Sequence, residues 1–171
     1  MATKEETSSK ENQQNSGEPS TPLTVNAQFL KDLSYECSDP VKTFQTMESA
    51  PEINVSVDIQ ATPLKENSFE VALKISAEAT NKGEKAYVVE VEYGGVFSLG
   101  ADVPEEAKHP LLMIECPRLL FPFARSVIAD ATREGGFPPL SLVPIDFVAL
   151  YRQQIERQQK NQEGTSKTAT T

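Results

Sequence analysis

Residues 87–97 read YVVEVEYGGVF, and the alternation in this stretch decides the fold. Tyr87, Val89, Val91 and Tyr93 fall on one side of an extended chain, and Val88, Glu90 and Glu92 on the other, because successive side chains of a strand point to opposite faces. A half-buried strand with one apolar and one acidic face is expected. Two neighbouring segments repeat the pattern. Ile53, Val55, Val57, Ile59 and Ala61 alternate with Asn54, Ser56, Asp58 and Gln60. Likewise Phe69, Val71, Leu73, Ile75, Ala77 and Ala79 alternate with Glu70, Ala72, Lys74, Ser76 and Glu78. A weaker fourth segment sets Phe29, Leu33 and Tyr35 against Leu30, Asp32, Ser34 and Glu36. Short polar connections at 64–68 and 81–85 suit hairpins, so the expected sheet is four-stranded, antiparallel and meander-like. Gly94 and Gly95 are expected to bulge or bend the last strand and end its regular pairing.

Beyond the sheet the apolar period lengthens to that of a helix. In CPRLLFPFARSVIADATREGG (116–136), Leu120, Phe123, Ala124, Val127, Ile128 and Ala131 form one stripe. Pro122 fits only if this helix has just begun, and Gly135 and Gly136 end it. After the Pro-rich 137–144, Asp146 is placed to cap a second, shorter helix, FVALYRQQIERQQ. The fold class is therefore α+β, strands first and one long and one shorter helix after. Residues 1–22 and 157–171 are too polar to offset their ordering entropy and are expected to be a disordered extension and tail around one domain, 23–156.

Composition excludes several functions. A net charge of −9 argues against nucleic acid, which requires a basic patch, and favours a basic protein segment as partner. The polar start lacks the apolar region of a signal peptide, and no apolar stretch approaches the ~20 residues of a membrane span. A cytoplasmic protein without membrane insertion is expected. Cys37 and Cys116 are far apart, which suits a reducing compartment. His109 is the one histidine, and neither Cys116 nor any serine sits in a nucleophile motif, so no enzyme active site, metal or cofactor is expected.

Two counts bear on function. Four strands at ~4.8 Å spacing present an apolar face about 19 Å wide, whereas one helix covers only about 10–12 Å. Either subunits share their helices in a homo-oligomer, or the loops at 37–51 and 137–144 close over the remainder. On the polar parity, Asp32, Glu36, Asp58, Glu70, Glu78, Glu90 and Glu92 face the single basic Lys74. With Leu30 and Val88 exposed among them, these acids form a docking site for a basic partner, unless they are ordinary solvated surface. In the loops, Val41, Phe44 and Met47, and Phe137, Leu140, Leu142 and Val143, either pack down as lids or line a groove for extended apolar peptide.

The segments KDLSYE, VVEVEYGGVFSL, CPRLLFPFAR and GGFPPLSLVPIDFVALY, in this order and spacing between about Phe29 and Tyr151, resemble SecB, the bacterial protein-export chaperone family. The resemblance implies a homotetramer, a dimer of dimers with long helices between two sheets. It implies an ATP-independent holdase that keeps precursor proteins unfolded and delivers them to SecA. The matching SecA-binding positions are Asp32, Glu36, Val88 and Glu90, and those affecting tetramer assembly are Val89, Val91 and Tyr93. The client groove it implies contains Phe44, Met47, Phe137, Leu140 and Leu142. An oligomeric adaptor with the same acidic face and no groove is the alternative.

Overall fold

The structure, a computed structural model, describes residues 21–166. The segments 1–20 and 167–171, and with them most of the expected extension and the end of the tail, lie outside the described residues.

The alternating segments form β1 (Leu23–Glu36), β2 (Glu52–Pro63), β3 (Ser68–Asn81) and β4 (Glu84–Leu99), all antiparallel. Tight turns join the last three. Between β3 and β4, Lys82 and Gly83 both have positive φ (52° and 83°), a two-residue turn whose twist matches that of the flanking strands. The sheet order is β1-β4-β3-β2, which corrects the expected meander: β1 sits beside β4 at the far edge from β2. A tight hairpin could not make that crossing. The 15-residue connection 37–51 makes it, and it carries a helix absent from the sequence reading, α1 (Pro40–Thr46). Asp39 caps α1 by accepting from the Lys42 N–H at 2.9 Å, with Pro40 at the first helical position.

Cross-strand partners share a face, so the register fixes which side each residue occupies. The parities expected for β2, β3 and β4 hold, and so do those of Leu33, Tyr35, Asp32, Ser34 and Glu36. Phe29 and Leu30 are exchanged. β1 is irregular between Val25 and Ala27 and between Leu30 and Asp32; the second bulge absorbs Lys31, pairing Leu30 with Tyr93 on the apolar face and Phe29 with Gly94 on the acidic one. Gly94 and Gly95 do not end the pairing either, since each has a partner in both β1 and β3. Their missing Cβ atoms leave room for the rings of Phe29 and Phe97 on opposite faces, each within 2.8 Å of where that atom would stand.

The helical region starts earlier than expected. It runs as α2 (Glu105–Pro110), a π turn (Leu111–Glu115) and α3 (Cys116–Glu134). Pro122 therefore lies well inside a helix, and the carbonyl of exposed Arg118 lacks its usual amide donor. The extra residue of the π turn breaks the 3.6-residue period, which hid the first part from pattern reading. Leu120, Ala124 and Ile128 of α3 are fully buried over Val89, Val91 and Ile75, whereas Phe123, expected in the same stripe, is 47% exposed. Asp146 caps α4 (Phe147–Ser166), accepting from the Ala149 N–H at 3.0 Å. That helix continues ten residues past the expected domain end at 156, because straight-chain Gln, Arg, Lys and Glu favour helix without an apolar face.

As the width count requires, α3 lies over β4 and β3, and both margins stay bare. On one side Val25, Leu30 and Leu33 of β1 adjoin Leu119 and Phe123, all more than 40% exposed; on the other, Ile53 and Val55 of β2 are 37% and 39% exposed.

Tyr35 packs its ring against the Gly135 backbone and leaves its hydroxyl buried without a partner among the described residues. Burial pushes this phenol up to about 12 from 10.0, so stability falls as pH rises from about 10 towards 12 while the unfolded phenol ionises and the folded one resists. Tyr35→Phe removes both penalties. It is expected to raise stability at pH 7 by about 1 kcal/mol and to flatten the alkaline decline, measured by denaturant unfolding at pH 7 and 10.5.

Candidate functional site

Two surfaces carry recognition chemistry, one at an end of the sheet and one on its outer face. The first is an open groove of about 460 Å³ lined by Met47, Pro51, Ile53, Tyr87, Phe137 and Leu140, with Pro138 and Pro139 at its rim. Its floor is aromatic. Phe44 lies 4.9 Å from Phe137, Phe137 4.7 Å from Tyr87, and Tyr87 stacks on Tyr35 at 5.7 Å between ring centroids. Backbone geometry makes this contact possible, because Gly136 has φ +87° and a Cβ there would stand 2.9 Å from Phe44 Cζ. The two glycines thus end α3 and also seat two rings. Thr132, fully buried, accepts from the Leu140 N–H at 2.9 Å and so pins the 137–140 wall to α3. The opposite wall is tied to the β3–β4 hairpin by exposed ion pairs, Lys42–Glu84 at 2.7 Å and Lys82–Glu48 at 3.0 Å.

Of the residues expected here, Met47, Phe137 and Leu140 line the groove and Phe44 backs Phe137. Leu142 is instead in the core, 6% exposed. Tyr87 and Ile53 were missed as groove residues, because strand parity assigns them to the sheet's apolar face; their position at strand ends beside the two loops was the available signal.

The second surface follows from the register. Across β1 and β4, Asp32 pairs with Glu92, Ser34 with Glu90, and Glu36 with Val88, so Asp32, Glu36, Val88 and Glu90 form one contiguous patch. The surface is less starkly acidic than Lys74 alone would make it. Lys31, turned outward by the bulge, bridges Glu70 at 2.7 Å and Glu92 at 2.9 Å; Lys85 holds Glu78 at 2.8 Å, and Lys74 approaches Glu90 at 3.8 Å. Hydrogen bonding to Glu70 and Glu92 keeps the Lys31 ammonium above its usual pKa. Asp32 and Glu36 make no ion pair within 4 Å among the described residues.

Val89 and Val91 lie wholly inside the chain's own core, while Tyr93 reaches the bare β1 margin and stacks on Phe123 at 5.8 Å. Among the described residues no helix is long and apolar enough to cross a membrane.

Comparison with known proteins gives these surfaces a family. The profile described as Preprotein translocase subunit SecB matches residues 14–158. The chain belongs to the SecB family. Protein-export protein SecB of Nitrobacter winogradskyi is 48% identical over 148 residues, covering 86% of this chain and 92% of that protein. Its counterpart from Bradyrhizobium diazoefficiens is 49% identical over 140 residues, covering 82% and 86%. The fold is shared with a Mycobacterium tuberculosis SecB-like chaperone, Rv1957, solved in complex with a ChAD peptide from the Rv1956 HigA1 antitoxin. That match has a TM-score of 0.54 at 14% identity and covers 73% of this chain and 91% of the other. This SecB chain is accordingly a protein-export chaperone, from a family of chaperones rather than enzymes.

Placing a Cβ on Gly136 would strain a left-handed backbone and press on Phe44. Gly136→Ala is expected to cost about 1–2 kcal/mol of stability and to weaken binding of an environment-sensitive apolar dye at the groove, read by chemical denaturation and fluorescence titration.

Proposed function

We propose that this chain acts as a homotetrameric, nucleotide-independent holdase that binds extended, non-native precursor segments in the groove and delivers them to SecA through the acidic patch. The observation that carries the client reading is the groove itself. Its walls are apolar and aromatic, its soft Met47 and flat rings accept many side chains, and it is open to an extended chain. Many such weak contacts along one polypeptide sum to useful affinity without sequence stringency. The peptide complex of the mycobacterial SecB-like chaperone is consistent with peptide capture by this fold.

Tetramer formation is supported by the bare margins. Val25, Leu30 and Leu33 of β1, with Leu119 and Phe123 of α3, make one apolar rim around Tyr93 that a second copy of the chain would cover. Val89 and Val91 would influence assembly through the core beneath that rim. SecA docking rests on charge complementarity at Asp32, Glu36 and Glu90 around the apolar Val88.

A stoichiometric amount of the protein, scattering light as about 75 kDa, four chains of 18.8 kDa, is expected to delay refolding of a slow-folding precursor without added nucleotide. Unchanged refolding would overturn the holdase reading. Glu90→Lys should weaken SecA binding about three- to tenfold in calorimetric titration while client retention stays at the wild-type level; equal SecA affinity would overturn the docking reading.

A further inference from the structure

The bulge at Lys31 does more than exchange two side chains, because it divides the outer sheet face into two chemically different ends. Register places the outer residues in rows across the sheet. Ala27, Val96 and Glu70 form one row; Phe29, Gly94 and Ala72 the next; Asp32, Glu92 and Lys74 a third. Ser34 with Glu90, and Glu36 with Val88, complete the β1 and β4 side. At the first end Phe29 is 36% exposed, and its ring and the Lys31 stem share the space left by the absent Cβ of Gly94, at 2.8 and 3.0 Å. By register its neighbours on this face include Ala27, Ala72 and Val96. Glu70 and Glu92, one row to either side of it across the sheet, are both engaged by the one Lys31 ammonium. At the other end Asp32 and Glu36 carry no ion pair among the described residues, and Glu90 has only a long one.

A partner selected by charge alone would be served better if all seven carboxylates were free. Here Lys31 silences two beside an outward aromatic ring and Lys85 holds a third, Glu78, on β3 at the other end, which leaves Asp32, Glu36 and Glu90 the freer acids; the first end favours an apolar group and the second favours cations. We propose that the polypeptide docking on this face seats an apolar side chain against Phe29 and sets its Lys or Arg groups against Asp32, Glu90 and Glu36, with Lys31 fixing the polarity by masking Glu70 and Glu92. Same-face rows of a strand lie about 7 Å apart, which places the cations about 7, 14 and 20 Å beyond the apolar anchor. The occupant is thus a basic segment with an apolar residue at one end, bound in a single direction. This rests on the docking reading above and names what that patch selects.

SecA serves as the probe, titrated against intact oligomer at low and high salt. Phe29→Ala is expected to lower affinity about three- to tenfold with little change in salt dependence, as loss of an apolar contact requires. Lys31→Met frees two carboxylates and is expected to raise affinity at least twofold at low salt and to steepen its decline with salt, a gain that a merely structural role for Lys31 would not produce. The Lys31 variant alters no buried residue, so it reports even if Phe29→Ala disturbs assembly. Unchanged or weakened binding by Lys31→Met, or wild-type binding by Phe29→Ala, overturns the proposal. With Glu90→Lys still weakening binding, only this inference falls; with all three variants binding as wild type, the docking reading falls too.

Discussion

Everything in this molecule depends on β4 being paired along both edges while its two faces do opposite work. Val89 and Val91 are fully enclosed because α3 lays Leu120, Ala124 and Ile128 across them. Glu90 and Glu92 point away from that helix into solvent. A one-residue slip of register would drive the carboxylates under α3 and the valines into water, so the pairing is specified strongly from both sides. The acidic patch inherits its geometry from the core: Asp32 and Glu36 are brought beside Val88 and Glu90 by the same ladder that sets Leu33 against Val91.

A second constraint is geometric. One helix cannot cover four strands, and this chain leaves both flanks of its apolar face open rather than closing them with loops. One flank adjoins the apolar groove, where Ile53 continues the exposed apolar surface of β2 into the aromatic floor around Tyr87 and Phe137. The other carries Leu30, Leu33 and the stacked pair Tyr93 and Phe123. Incomplete cover thus leaves apolar surface at both margins, a rim beside Tyr93 at one and the open groove at the other. Stability is held locally instead, by Thr132 pinning the helix connection, His109 meeting Tyr151 at 2.9 Å, and the T-shaped pair Phe121 and Phe147 fixing α4.

The amino-acid sequence by itself determined the strands of the sheet, the side on which nearly every strand residue lies, the start of α4, and the acidic character of the outer face. It could do so because period-2 alternation and a capping Asp are local signals that depend on neighbours one to three residues away. Tertiary structure alone decided the order β1-β4-β3-β2, since either edge was open to β1 until the 37–51 connection chose one. It also decided the bulge that sends Phe29 outward, visible in the sequence only as the weak alternation of that segment. It removed Leu142 from the groove and brought in Tyr87 and Ile53, because a groove is formed by strand ends and loops distant in sequence. The glycines show the division most clearly. Gly94, Gly135 and Gly136 stand out in the sequence, but what each makes room for is a ring distant in the chain, from Phe29, Tyr35 and Phe44, and only packing could supply it.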